Sequence, residues 1–268
     1  MKSLLDLWRH RALIGVLTAR ELKARYRGSV LGYLWSLLNP LLMLAVYSLV
    51  FQVVLPSRAP STSPYALFLF CGLLPWNWLS SGLTDAASSL VTHGALLKKI
   101  LFPAEVLPAV AVLAQGAHFL LAMPVLLGGL LLGQAGLFGA RPALGWALVQ
   151  VPFLLLLQGL LVFGLGLLLA GLTVHFRDLR DLLATLLTLW FFATPILYDL
   201  ADVRSERAVR LLSLNPAAPL FEAWRDALFF DRWVPARTWG LIALFAFVAW
   251  AAGQALFDRL RDTYAEAV

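Results

Sequence analysis

Apolar residues along the chain gather into six long runs: Leu31 to Leu55, Tyr65 to Leu83, Ala104 to Gly133, Ala143 to Leu172, Leu182 to Tyr198 and Trp239 to Phe257. Each approaches the roughly 20 residues that an α-helix needs to cross a hydrocarbon core. Sheet edges or irregular chain would strand backbone donors and acceptors there, so the pattern predicts an all-α integral membrane fold with six spanning helices. Upstream the periodicity changes. Leu4, Trp8, Ala12, Gly15, Ala19, Leu22 and Tyr26 fall at steps of four and three, an uncharged stripe flanked by Arg and Lys. Residues 1–30 are therefore expected to form a cytoplasmic amphipathic segment at the membrane interface, and residues 31–268 the transmembrane domain.

Two connections carry further pattern. Between the fifth and sixth runs, Leu211, Leu212, Leu214, Leu220, Phe221, Trp224, Leu228, Phe229 and Phe230 recur among charges. Two short amphipathic helices split around Asn215-Pro216 fit this pattern, either lying on the outer interface or dipping into the bundle as a re-entrant, gate-like pair. From Asp85 to Phe102, a helix start at Thr84-Asp85, an apolar stretch, Lys98 and Lys99, and a stop at Pro103 predict a short cytoplasmic helix.

Composition excludes a soluble globule: 61% of residues are hydrophobic, 13% are charged and the mean hydropathy is +0.81. The net charge of +6 raises nucleic acid as a partner, yet the basic residues flank apolar runs instead of lining a soluble face. They set orientation instead. Lys2, Arg9, Arg11, Arg20, Lys23, Arg25 and Arg27 precede the first run, whereas only Arg58 follows it, so the N-terminus is expected inside. Lys98, Lys99, Arg177, Arg180, Arg259 and Arg261 then also fall inside, Arg141 falls outside, and both termini are cytoplasmic. The stretch from Asp199 to Thr238 breaks the count with six arginines, which its six carboxylates cancel. Charged residues interrupt the first 27 positions, so no cleaved signal peptide is expected. Cys71 alone builds neither a disulfide nor a thiolate site, and His10, His93, His118 and His175 lack metal-ligand spacing.

Candidate transport surfaces follow from helical projection. Gly32, Ser36, Asn39, Met43 and Tyr47 share one side of the first run, with Trp35 and Phe51 at its margins; Leu187, Trp190, Phe191, Thr194 and Tyr198 share one side of the fifth. Aromatic faces stack on the C–H faces of sugar rings while amides and hydroxyls exchange hydrogen bonds, so these sides suit a sugar conduit. The same residues equally suit interface belts and packing. Gly129-x-x-x-Gly133 and Gly159, Gly164, Gly166 and Gly171 permit close helix approach, read as bundle packing. Arg177, Asp178, Arg180 and Asp181 form a charge cluster before the fifth run, expected to pair locally or with headgroups. No carboxylate pair inside a span suggests a proton relay, and no G-x-x-x-x-G-K-[ST] loop is present, so ATP would have to be burned by another polypeptide.

Four segments, in order, resemble ABC-2 type permeases, in particular the subfamily exporting O-antigen and teichoic acid polysaccharides. They are the run from Arg20 to Pro40, the run from Leu96 to Pro108, Phe176-Arg177-Asp178, and Leu214-Asn215-Pro216 with Arg225. The resemblance implies a homodimeric permease subunit in the cell inner membrane, worked by two copies of an ABC ATP-binding subunit, moving lipid-linked polysaccharide outward. ATP and Mg belong to that partner, and no cofactor is implied on this chain. His93, Leu96, Leu97, Lys98, Lys99 and Phe102 correspond to the element that couples to the ATPase. Arg20, Lys23, Arg25, Arg27, Arg177 and Asp178 are assigned to the cytoplasmic mouth or lipid headgroups. Aromatic residues of the first and fifth spans are implied to line the conduit. An exporter of drugs or lipids keeps the same architecture. An integral membrane enzyme of lipid-linked sugar metabolism would need a catalytic constellation near an interface, and the sequence offers none that is convincing.

Overall fold

The computed structural model describes residues 8–29, 31–50, 64–98, 102–136, 142, 144–200, 203 and 205–264. Among them the chain is helical, with no strand. In order it forms α1 (Arg11–Tyr26), α2 (Trp35–Leu49), α3 (Tyr65–Thr92), the single turn α4 (Gly94–Leu97), α5 (Val106–Gln134), α6 (Val151–His175), α7 (Leu179–Ala193), α8 (Glu206–Ser213), α9 (Ala218–Leu228) and α10 (Ala236–Leu260). Four of the described helices are long and apolar enough to cross a membrane: α3, α5, α6 with its leading turn from Trp146, and α10. Described helix α2 is shorter, at 15 residues, and α7 has the same length.

Helix α3 is the axis of the bundle. Its buried side chains run from Ala66 to Leu90 and face α5, α6, α7 and α9. Trp78 on α3 stacks on Phe119 of α5, with centroids 5.3 Å apart, and Phe119 meets Trp224 of α9 edge-on at 5.4 Å. The indole N–H groups are satisfied inside the apolar core, Trp78 donating to the Val112 carbonyl and Trp224 to Gln158 Oε1. That matters because an unpaired buried donor costs about 1–3 kcal/mol.

Helices α6 and α10 cross closely enough that a Cβ on Gly164 would strike the backbone of Ala249 and Trp250, and one on Gly253 would strike the Gly164 carbonyl. Gly164 belongs to the glycine series visible in the sequence, whereas Gly253 stands outside it. Gly129 lies against Leu67 and Leu44.

The helix after Tyr65 runs past Leu83 to Thr92 instead of restarting at Thr84-Asp85. Thr84 and Ser88 return their hydroxyls to the carbonyls of Ser80 and Thr84, four residues back, so they are satisfied within a continuous helix. Asp85 is engaged elsewhere, by Arg25 and Gln115, and does not cap.

Both described ends of the chain lie at one end of the bundle. Arg25 of α1 pairs with Asp85 of α3 at 3.1 Å; Arg261 pairs with the buried Glu105 at 3.7 Å; His175 Nε2 lies 3.0 Å from Thr263 Oγ1. This end also carries α4 and the turn Phe176–Asp178. At the opposite end Tyr65 donates to the Leu197 carbonyl, Asp231 accepts from the Ala147 N–H, and Gln150 bridges Arg232 and Val234.

Helix α1 packs through Leu13, Ile14 and Leu17 onto Val106, Val110 and Phe102. Members of the uncharged stripe, Trp8, Ala12, Gly15 and Ala19, are exposed. The stripe is therefore not the face that joins the bundle; the neighbouring residues are, which leaves the uncharged side open outward.

Candidate functional site

On α2 the sequence-selected side chains divide by height. Trp35, Ser36 and Asn39 line a cavity of about 500 Å³ between α2, α3 and α5, together with Asn77, Ser81, Gln115 and His118. Met43 is exposed, and Tyr47 is half-buried against the main core. Phe51 lies outside the described residues. The exposed side of α2 continues through Leu41, Leu42, Val46 and Leu49.

On α7 the selected residues engage the hairpin of α8 and α9. Trp190 and Phe191 pack on Trp76 of α3, with centroids 5.9 and 5.5 Å apart. Trp190 donates its indole N–H to Asn215 Oδ1 at 3.0 Å. The Asn215 amide in turn donates to the Ala193 carbonyl at 3.0 Å and to Thr194 Oγ1 at 2.9 Å, while Oδ1 also accepts from the Ala217 N–H at the start of α9. Thr194, wholly buried, donates to the Trp190 carbonyl. Pro195 follows and stops α7, since a residue preceding proline is pushed out of the helical region. Tyr198 donates to the Phe192 carbonyl, and its own carbonyl accepts from Arg225 at 2.9 Å. Within one chain α2 and α7 occupy different parts of the bundle, so their selected side chains do not share a single cavity.

The hairpin forms as two helices on either side of Asn215-Pro216. Helix α8 has no buried residue, whereas α9 buries Leu220, Phe221, Trp224, Arg225 and Leu228 against α3 and α6. Arg225 is 2% exposed and its guanidinium lies 4.5 Å from the centroid of Phe68. Burial raises the Glu222 carboxyl above the usual range, opposed by Arg225; burial raises Asp226 likewise, opposed by Arg232 and Arg225. The sequence marked Asn215, Pro216 and Arg225 as a motif but gave no partner for them, because their partners lie on α3 and α7.

At the other end, His93 caps α3 with its ring 3.1 Å from the Ser89 carbonyl; Leu97 packs on the main core and Phe102 touches both core clusters. Lys98 is exposed; Lys99 and the Leu96 side chain are outside the described set. Arg20, Lys23 and Arg27 are exposed, and Arg177 and Asp178 sit exposed in the turn before α7. Arg20, Arg25, Asp85 and His93 line a groove of about 550 Å³ between α1, α3 and α5. Asn77, Ser81, Gln115 and Asp85 were missed by sequence reasoning. Their signal was present, as polar residues inside or at the foot of apolar runs, which membrane helices carry at a cost and usually for a purpose.

Among the described residues the chain is a bundle of apolar helices with polar and aromatic faces and charged residues concentrated at its ends, an arrangement that suits a membrane transport protein. Residues 12–229 match the model of the ABC-2 type transporter family, and the chain belongs to that family. It is thus a transport subunit and not an enzyme. It is 40% identical to the O-antigen export system permease protein RfbA of Myxococcus xanthus over 98% of both chains. A protein of the same description from Klebsiella pneumoniae is 34% identical over 95% of this chain and 94% of that one.

Proposed function

We infer that this chain is the permease subunit of an ABC exporter that moves lipid-linked polysaccharide of the O-antigen kind outward across the cytoplasmic membrane. The observation that carries the reading is similarity over almost the whole length to permeases named for O-antigen export. In this reading α2 and α7 are the first and fifth of six spans, and the end bearing α1, α4, Phe176–Asp178 and Arg261 faces the cytoplasm, in keeping with its many basic residues. Two copies of the chain meet to form the conduit. Their outward apolar sides supply the surface, with Leu41, Leu42, Val46 and Leu49 on α2 and Leu182, Leu186, Leu189 and Phe192 on α7 exposed in the single chain. A separate ATP-binding subunit, in two copies, works from below against α4 and Phe102. Movement there reaches the bundle because Phe102 touches both the α1 contact and the main core.

Clean deletion of the gene is expected to abolish polymer at the cell surface, with restoration by the wild-type chain and co-purification of a phosphate-loop ATPase. Polymer that persists at the surface after deletion rejects the assignment. Within the conduit, Tyr47→Ala is expected to reduce surface polymer several-fold while the yield of folded protein is retained. Trp190→Ala should lower both, because its indole holds Asn215. Quantitative immunoblotting of polymer and membrane fractions separates the two outcomes, and loss of folded protein in Tyr47→Ala would assign that ring to packing.

A further inference from the structure

A second polar feature is an open cavity of the single chain, which takes in Trp35, Ser36 and Asn39 from the side of the first run selected above. The cavity between α2, α3 and α5 has amides from three helices on its wall, Asn39, Asn77 and Gln115, with Ser81 and the indoles of Trp35 and Trp78. Asn77 stands near the middle of the 28-residue α3. Asn77 and Asn39 are exposed at the cavity wall, and at mid-bilayer depth an amide there is costly unless something polar meets it. Among the described residues the side chains of Asn39 and Asn77 have no protein hydrogen-bond partner. The arrangement is one that a sugar ring would satisfy, its C–H faces against indole and its hydroxyls on amides and Ser81. The volume, about 500 Å³, lies within the roughly 300–1,000 Å³ usual for small-ligand sites.

At its charged end stands Arg25, which also lines the 550 Å³ groove beneath α1. Its partner Asp85 is held in place by the Gln115 amide. The ion pair therefore sits between groove and cavity. Arg25 and Asp85 side chains are 41% and 39% exposed, a setting in which such a pair is readily exchanged for another anion. A guanidinium offers a planar fork that suits phosphate.

We propose that this cavity is a binding site for one sugar unit and its adjoining phosphate at the lipid end of the cargo, with Arg25 exchanging Asp85 for that phosphate. The proposal rests on the exporter reading for the class of its ligand. The full chain with its ATPase partner, in phospholipid nanodiscs, tests it through thiol accessibility. Asn77→Cys and Ser81→Cys place a thiol on the cavity wall, Leu120→Cys places one on the exposed side of α5, and the wild-type chain, whose Cys71 is wholly buried, is the blank. A charged methanethiosulfonate should label Asn77→Cys or Ser81→Cys roughly tenfold faster than Leu120→Cys, since only a hydrated thiol ionises and reacts. A short prenyl diphosphate carrying one N-acetylglucosamine should slow that labelling several-fold, more than prenyl diphosphate alone or free N-acetylglucosamine. Should Asn77→Cys not assemble, Ser81→Cys carries the same measurement. Absent labelling, labelling that the probe does not slow, or equal protection by prenyl diphosphate alone would each overturn the sugar site. Surface polymer restored by the wild-type chain is scored in parallel, so loss of the niche and loss of the exporter reading are separate results.

Discussion

Gly164→Val is expected to remove most folded protein from the membrane, lowering its yield by about tenfold or more. A Cβ at Gly164 meets the backbone of Ala249 and Trp250, and backbone cannot rotate away as a flexible side chain can. Forcing bulk into a packed contact costs about 1–3 kcal/mol where side chains can yield, and more where they cannot. A domain whose whole stability is roughly 5–15 kcal/mol loses a large fraction of it in one step. Gly253→Ala attacks the same crossing from α10, because its added methyl would meet the Gly164 carbonyl. Gly128→Ala and Gly15→Ala are the controls, since an added Cβ at either position meets nothing within 4 Å. Both are expected to leave the yield unchanged or raise it slightly, as alanine favours helix over glycine by about 1 kcal/mol. Yield and monodispersity of a fluorescent fusion in detergent read the outcome. Normal yield of Gly164→Val would mean that α6 and α10 are not in backbone contact there.

The all-helical class and the longest helices were legible because the apolar runs are long and the charges between them are few. The four helices long and apolar enough to span, α3, α5, α6 and α10, each overlap a predicted run. What the runs did not reveal is where a helix continues beyond the apolar part. The end of the run at Leu83 suggested a break, yet polar Thr84, Asp85 and Ser88 stay helical because their side chains find partners on the same helix or on α1 and α5. Such pairings link residues up to 60 positions apart and have no periodic signature. The same limit applies to α1. Its uncharged stripe was visible, but the choice of Leu13, Ile14 and Leu17 as the packed face depends on Val106 and Val110, which the local pattern cannot see.

Candidate site residues were legible by type and not by neighbour. Projection placed Trp190, Phe191 and Thr194 together on α7, and they are together, but their surroundings are Trp76 and Asn215. The Asn39 amide was picked out on α2, whereas Asn77 and Gln115, which share its cavity, sit in apolar runs where a lone amide blends into the hydropathy.

Asn215→Ala is expected to unfasten the hairpin from α7 and abolish export while much of the chain remains in the membrane. The single amide makes four hydrogen bonds: it accepts from Trp190 and the Ala217 N–H, and donates to the Ala193 carbonyl and Thr194 Oγ1. Net loss of a typical bond costs about 0.5–1.5 kcal/mol, and stranding a buried partner costs about 1–3 kcal/mol. Truncation here should therefore cost about 2–4 kcal/mol, less than the sum because Asn215 and its partners relax together. Helix α9 stays attached to α3 through Phe221, Trp224 and Arg225, so the damage concentrates at the α7 end. Thr194→Val should cost less, about 1–2 kcal/mol, because it removes one hydroxyl and leaves the Trp190 and Ala217 bonds intact. The double variant should then fall short of additivity by about 0.5 kcal/mol or more. Thermal unfolding in detergent, followed with surface polymer in the same strains, measures both effects. Full additivity, or an Asn215→Ala variant as stable and active as wild type, would mean that this asparagine does not clamp the hairpin to α7.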